Sequence, residues 1–156
     1  MSDDPTGAIV VEITAEETHA LRGSVLRSDT PSTATTFPED DWPGTFHLGV
    51  RRGAELVAIS TWIPRPFPER PAVPAIQLRG MATAPELQGT GLGAVLLDEG
   101  CRRAAATAAL VWARARDAAL AFYLRHGFTV VGEGFVDETT GKPHHLIVRQ
   151  LHAADV

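Results

Sequence analysis

The chain has 156 residues, with 14 Lys and Arg against 19 Asp and Glu, for a formal charge of −5. That length suits one domain spanning residues 1–156, able to bury about 70% of its unfolded surface. The acid excess opposes nonspecific nucleic-acid binding, and no apolar run approaches the roughly 20 residues that cross a bilayer.

In chain order, Ile9 to Ile13 reads as a first strand. Thr14 and Glu17 then form a capping box for a helix to about Arg27. Ser28 to Gly44 is rich in Ser, Thr, Pro and Asp and reads as a loop with room for a short helical turn. Thr45 to Arg51 and Glu55 to Ile63 are β-rich runs joined by Arg52-Gly53-Ala54, as in an antiparallel hairpin. Pro64 to Pro74 holds five prolines, which remove backbone donors and predict an irregular linker. Ala75 to Thr83 reads as a strand, Leu92 to Ala109 as a helix and Leu110 to Ala115 as a buried strand. A short helix capped by Asp117 and ending at His126, then strands over Phe128 to Gly132 and Leu146 to Leu151, complete the order.

One cysteine, Cys101, excludes an internal disulfide and falls with Leu97 and Ala104 at helical spacing, as a small buried apolar side chain. The acidic start, Met1-Ser2-Asp3-Asp4-Pro5, lacks the basic and apolar regions of an export signal, so the expected compartment is the cytoplasm. No spacing of Cys, His, Asp and Glu matches a metal site.

The chemistry concentrates in Gln88-Gly89-Thr90-Gly91-Leu92-Gly93-Ala94, between the Ala75 strand and the Leu92 helix. Glycines let the backbone turn tightly and bring N–H groups together, while a helix N-terminus adds about half a positive charge. The guest such a cradle suits is a pyrophosphate. The stretch lacks the Gly-Lys-Ser/Thr ending of a P-loop, and its Gly-x-Gly-x-Gly spacing departs from the dinucleotide fingerprint.

Read as Gln-x-x-Gly-x-Gly-Ala, the stretch resembles the acyl-CoA loop of the GNAT superfamily of N-acyltransferases. Leu78 to Glu86 resembles the strand and Pro-containing turn leading into that loop, and Asp117 to Phe128 resembles the helix and Gly-Phe exit of the same fold. The resemblance covers nearly the whole chain. It implies an α/β (α+β) fold: a mixed, largely antiparallel twisted sheet of about seven strands flanked by about four helices, with strands four and five splayed around a pantetheine arm.

It further implies acetyl transfer from acetyl-CoA, as co-substrate and without a metal, to a primary amine by direct attack in a ternary complex. Met81, Ala82 and Thr83 would pair with the pantetheine as an added strand, with the Met81 or Ala82 amide as oxyanion donor. Gln88, Gly89, Thr90, Gly91, Leu92, Gly93 and Ala94 would hold the pyrophosphate. Arg116, Ala119 and Phe122 would also border the cofactor. Arg116 stands where the family often has asparagine; it either reaches a phosphate or solvates the strand end. Tyr123 matches the tyrosine that protonates the leaving thiolate.

The general base is open. Gln77 and Arg79 stand where a glutamate is frequent, which leaves His47, Glu133, His144 and His145; on a strand, His144 and His145 point to opposite faces. The acceptor is a small molecule or peptide amine, and Glu39-Asp40-Asp41 in the variable loop is compatible with a cationic one. The resemblance also allows a homodimer through the last strand. Two other readings remain at this point: a catalytically silent acyl-CoA-binding regulatory module, and a nucleotide-binding α/β domain.

Overall fold

The structure, a computed structural model, describes residues 8–28 and 30–152, so Met1 to Pro5 lie outside the described residues. Seven strands, β1 (Ile9–Ile13), β2 (Phe46–Arg52), β3 (Glu55–Pro64), β4 (Ala75–Thr83), β5 (Leu110–Arg116), β6 (Thr129–Val136) and β7 (Pro143–Gln150), form one sheet in the order β1-β2-β3-β4-β5-β7-β6. All neighbours are antiparallel except β4 and β5, which the crossover helix α2 (Leu92–Ala104) joins.

Helix α1 begins at the predicted capping box: the Thr14 N–H donates to Glu17 Oε1 at 2.9 Å and the Glu17 N–H to Thr14 Oγ1 at 3.2 Å. It passes through a 3₁₀ turn (Glu16–Thr18), an α turn (His19–Leu21) and a π turn (Arg22–Leu26). Helix α3 (Leu120–Arg125) follows a 3₁₀ turn (Asp117–Ala119), and the expected fourth flanking helix is a single 3₁₀ turn, Pro38–Asp41. Asp117 makes no cap; its Oδ1 lies 2.6 Å from His145 Nδ1 instead.

Strand alternation divides the core between two faces. One face sends Ile76, Leu78, Val111, Ala113 and Ile147 against Leu92, Leu96 and Leu97 of α2. The approach is close enough that a Cβ on Gly100 would stand 1.7 Å from the Trp62 ring. The other face is covered at one end by α1, through Leu21, Val25 and Leu26 with Ile13 and Ile59, and at the other by Phe67 of the proline-rich linker on Trp112 and Leu110. Between these two covers a strip of this second face stays open.

Two features of β4 open the sheet. It pairs with β5 only over Ala75↔Leu110, Ile76↔Val111 and Gln77↔Trp112, and the two strands part beyond that point. Its register with β3 shifts between Ile59 and Thr61, opposite Gly80 at φ 65°. A bulge there inverts the alternation, so Met81 turns toward the α2 face, which Leu78 also lines, while Ala82 joins Ile59 on the other. Only glycine fits at the bulge, since a Cβ would also meet Phe37 Cε2 at 2.9 Å.

Candidate active site

Two clefts occupy the two faces of the sheet beside the gap. One, of about 650 Å³, is lined by Met81, Ala82 and Thr83 at the end of β4, by the glycine loop and the first turn of α2, and by Ala119, Phe122 and Tyr123. The other, of about 670 Å³, lies on the open strip and is lined by Gln77, Arg79, Arg114, Arg116 and His144, among others. Met81, Ala119 and Tyr123 line both, so the clefts meet through the parted strands.

The loop cleft fits a pyrophosphate. Gly91, the residue before α2, has φ 95°, and no side chain caps the helix. The first intrahelical bond runs from the Val95 N–H to Gly91 O at 3.3 Å, so the N–H groups of the preceding turn are left to an anion. Gln88 Nε2 donates to Thr83 O at 3.1 Å and fastens the loop to the strand end. Thr90 turns its hydroxyl to Leu87 O and, of the seven loop residues, does not line the cleft. Arg125 and His126 complete the wall; Arg125 did not stand out in the sequence.

Tyr123 is packed edge-on against Phe122 and Phe128, with centroids at 5.2 and 5.4 Å. Burial pushes its phenol up to about 12, so it keeps its proton. Its hydroxyl donates to Met81 Sδ at 3.6 Å; a thioether is a weak acceptor, so the proton is easily passed to a better one.

Of the four candidates for general base, His144 alone lines either of these two clefts. Its Nδ1 is 2.9 Å from Lys142 O, which fixes the proton there and leaves Nε2 as the basic nitrogen of the neutral ring. His145 points to the opposite face, toward Asp117, and Glu133 is exposed on β6. His47 is buried between Thr61 Oγ1 at 2.8 Å and Asp40 O at 3.3 Å, and burial lowers its pKa below the ordinary imidazole value.

Arg116 lies in the second cleft rather than against the glycine loop; its Nη2 donates to Leu26 O, and β-pairing sets it directly opposite His144. In the acidic stretch of the variable loop Glu39 and Asp40 face inward, while Asp41 is exposed. Asp40 takes a two-pronged bond from buried Arg22, at 2.8 and 2.9 Å, and Glu39 joins Arg65 and Arg79 at 3.1 and 2.9 Å. Among the described residues no cluster of three His, Cys, Asp or Glu is placed to hold a metal, and no helix is long and apolar enough to cross a membrane.

Residues 11–128 match the sequence profile of the acetyltransferase (GNAT) family. The chain is 29% identical to YitI, an uncharacterized N-acetyltransferase of Bacillus subtilis (strain 168), over 89% of this chain and 93% of that protein. In fold it is similar to an acyl-CoA N-acyltransferase of Pseudomonas aeruginosa, with TM-score 0.73 at 20% identity over 92% and 99% of the two chains. It is also similar to an aminoglycoside 6'-N-acetyltransferase solved with coenzyme A, with TM-score 0.71 at 13% identity over 91% and 96%.

Proposed function

Because the chain belongs to the GNAT family of acetyltransferases, and is by that membership an acyltransferase acting on an amine, we propose that it acetylates a primary amine by direct attack in a ternary complex. Acetyl-CoA supplies the activated thioester. The observation that carries the reading is the junction of the two clefts at Tyr123 and Met81, which gives cofactor and acceptor separate entrances to one point.

Each need of the reaction has a residue. The first turn of α2 and the loop around Gly91 hold the pyrophosphate, with Arg125 and His126 beside it. The unpaired edge of β4 from Met81 to Thr83 orients the pantetheine, and the Met81 or Ala82 N–H is the donor for the carbonyl oxygen as negative charge develops. His144 Nε2 accepts the proton of the attacking amine. Tyr123 Oη delivers a proton to the departing sulfur. One N–C bond forms, one S–C bond breaks, and the amine's proton is balanced by that on the released thiol.

The alternative of a silent acyl-CoA-binding module draws on Arg116 and on the absence of a carboxylate at Gln77 and Arg79; the presence of His144 in the second cleft, with Arg116 there too, supports the catalytic reading over it. The test is thiol release from acetyl-CoA with a library of amines, with the acetylated product identified by mass. Amine-dependent release supports the proposal. Acetyl-CoA binding with no amine-dependent release across the library contradicts it.

A further inference from the structure

The second cleft is cationic. Arg27, Arg65, Arg79, Arg114 and Arg116 line it, against two carboxylates among the described residues, Asp137 and Glu138. Asp137 is already engaged by Arg114 Nη2 at 3.2 Å and by the N–H groups of Thr139 and Thr140. The compatibility with a cationic acceptor drew on the excess negative charge and on Glu39, Asp40 and Asp41. Glu39 and Asp40 are instead paired behind the wall, where they hold arginines in place.

Those arginines are stiffly mounted. Phe37 carries the Arg22 guanidinium 3.7 Å and the Arg79 guanidinium 4.0 Å from its ring centroid, and Arg65 lies over Trp42 at 4.8 Å. Among the described residues, two members have no carboxylate within ion-pair distance: Arg27 Nε donates to Ala34 O at 2.8 Å and Arg116 Nη2 to Leu26 O. Each guanidinium has five N–H donors, so most are left for a ligand. Burial and, after it, the neighbouring charge of Arg116 hold the Arg27 pKa below its ordinary value against the opposing pull of Asp137.

Resting on the acyltransferase reading above, we propose that the acceptor amine also bears an anionic group, a carboxylate or a phosphate, which Arg27 and Arg116 bind while the amine reaches the Tyr123 end of the same cleft. The forked guanidinium suits both anions. These arginines lie on the sheet face opposite α2, so they are not set to serve the pyrophosphate at its N-terminus. A purely cationic amine would meet repulsion and leave the arginines without a counterion, which is discrimination by an unfavourable contact as well as a favourable one.

The test measures kcat/KM for glycine, β-alanine, L-glutamate and the other common amino acids, each against its carboxamide, for O-phosphoethanolamine against ethanolamine, and for spermidine. Acetyl-CoA affinity is measured separately by calorimetry. The expected result is on the order of a tenfold or greater preference for the anionic member of a pair. The carboxylate and phosphate arms tell which anion is used. Arg27→Gln and Arg116→Gln raise KM for that substrate and remove the preference, leave acetyl-CoA affinity unchanged, and Arg27→Lys restores part of it. Equal use of the paired amines, preference for spermidine, or weakened acetyl-CoA binding in Arg116→Gln overturns the inference. So does acetyl-CoA binding with no turnover or saturable binding of any anionic amine, which spares the cofactor reading. Failure to bind acetyl-CoA removes the acyltransferase reading itself.

Discussion

The hydroxyl of Tyr123 and the thioether of Met81 stand 3.6 Å apart where the two clefts join. A buried phenol on α3 thus meets the bulged part of β4 across the gap that the parting of β4 and β5 leaves. The bulge at Gly80 is what brings Met81 to that point, since unbroken alternation would have kept it on the face of Gln77 and Arg79.

Tyr123→Phe keeps the ring packing and removes the proton. It should lower kcat by on the order of a hundredfold, the usual scale for a general acid, with acetyl-CoA affinity unchanged. With the phenol pushed up to about 12, the wild type shows no alkaline loss from this group below about pH 11. Equal rates for both proteins across pH would remove Tyr123 from the mechanism.

His144→Gln should reduce kcat/KM by about 10²-fold at neutral pH. The loss should fall on kcat, with acetyl-CoA affinity unchanged, since the side chain acts on the amine's proton only as the N–C bond forms. An unchanged kcat/KM would show that the base is elsewhere.

Gly91→Asp places a negative charge at the mouth of α2, in a residue with φ 95°. Aspartate is a good N-cap and one of the few side chains that tolerate left-handed backbone, so the fold should survive while the carboxylate occupies the anion site. Calorimetry should find acetyl-CoA binding lost with a cooperative thermal transition retained; undiminished affinity would contradict the cradle.

Asp40→Asn leaves Arg22, which is fully buried, without its ion partner. Breaking such a pair costs about 3–5 kcal/mol, or roughly 6–20 °C in Tm for a chain of this size. Burial alone would raise the Asp40 carboxyl, but the bonds from Arg22 and the Phe37 N–H outweigh it and hold it below the ordinary value. A carboxyl lowered in the folded state stabilises above its unfolded pKa of about 4 and loses that contribution as pH falls through the folded value. The gap between wild type and variant, followed by thermal melts, should therefore narrow in acid.

Much of this was legible in the residues, for stated reasons. The five-residue β1 and nine-residue β4 end where the pattern of apolar residues ends, and the Thr14–Glu17 box starts α1 as expected. Helix α2 stops at Ala104 because the Ala109 N–H is taken by Pro74 O at the sheet, which an alanine-rich run conceals. β6 and β7 run longer than expected because they are partly exposed, glycine- and histidine-bearing strands held chiefly by pairing, with a register break between Val131 and Phe135.

Motif and site divide similarly. The glycine loop and Tyr123 are contiguous signals, whereas the arginine cleft is assembled from α1, the proline-rich linker, β4 and β5. Part of it was written locally: Trp112-Ala113-Arg114-Ala115-Arg116 alternates in the period of a strand and puts both arginines on the Trp112 face. What no local pattern could state is that Glu39 and Asp40 turn inward onto arginines as many as 40 residues away.

Whether the glycine loop and the parted strands form an acyl-CoA site is decided by calorimetric titration of the wild-type protein with acetyl-CoA, CoA, ATP and NAD. Saturable binding of acetyl-CoA and CoA is expected, with ATP and NAD far weaker. Binding of ATP or NAD without acetyl-CoA, or of none of the four, would contradict such a site.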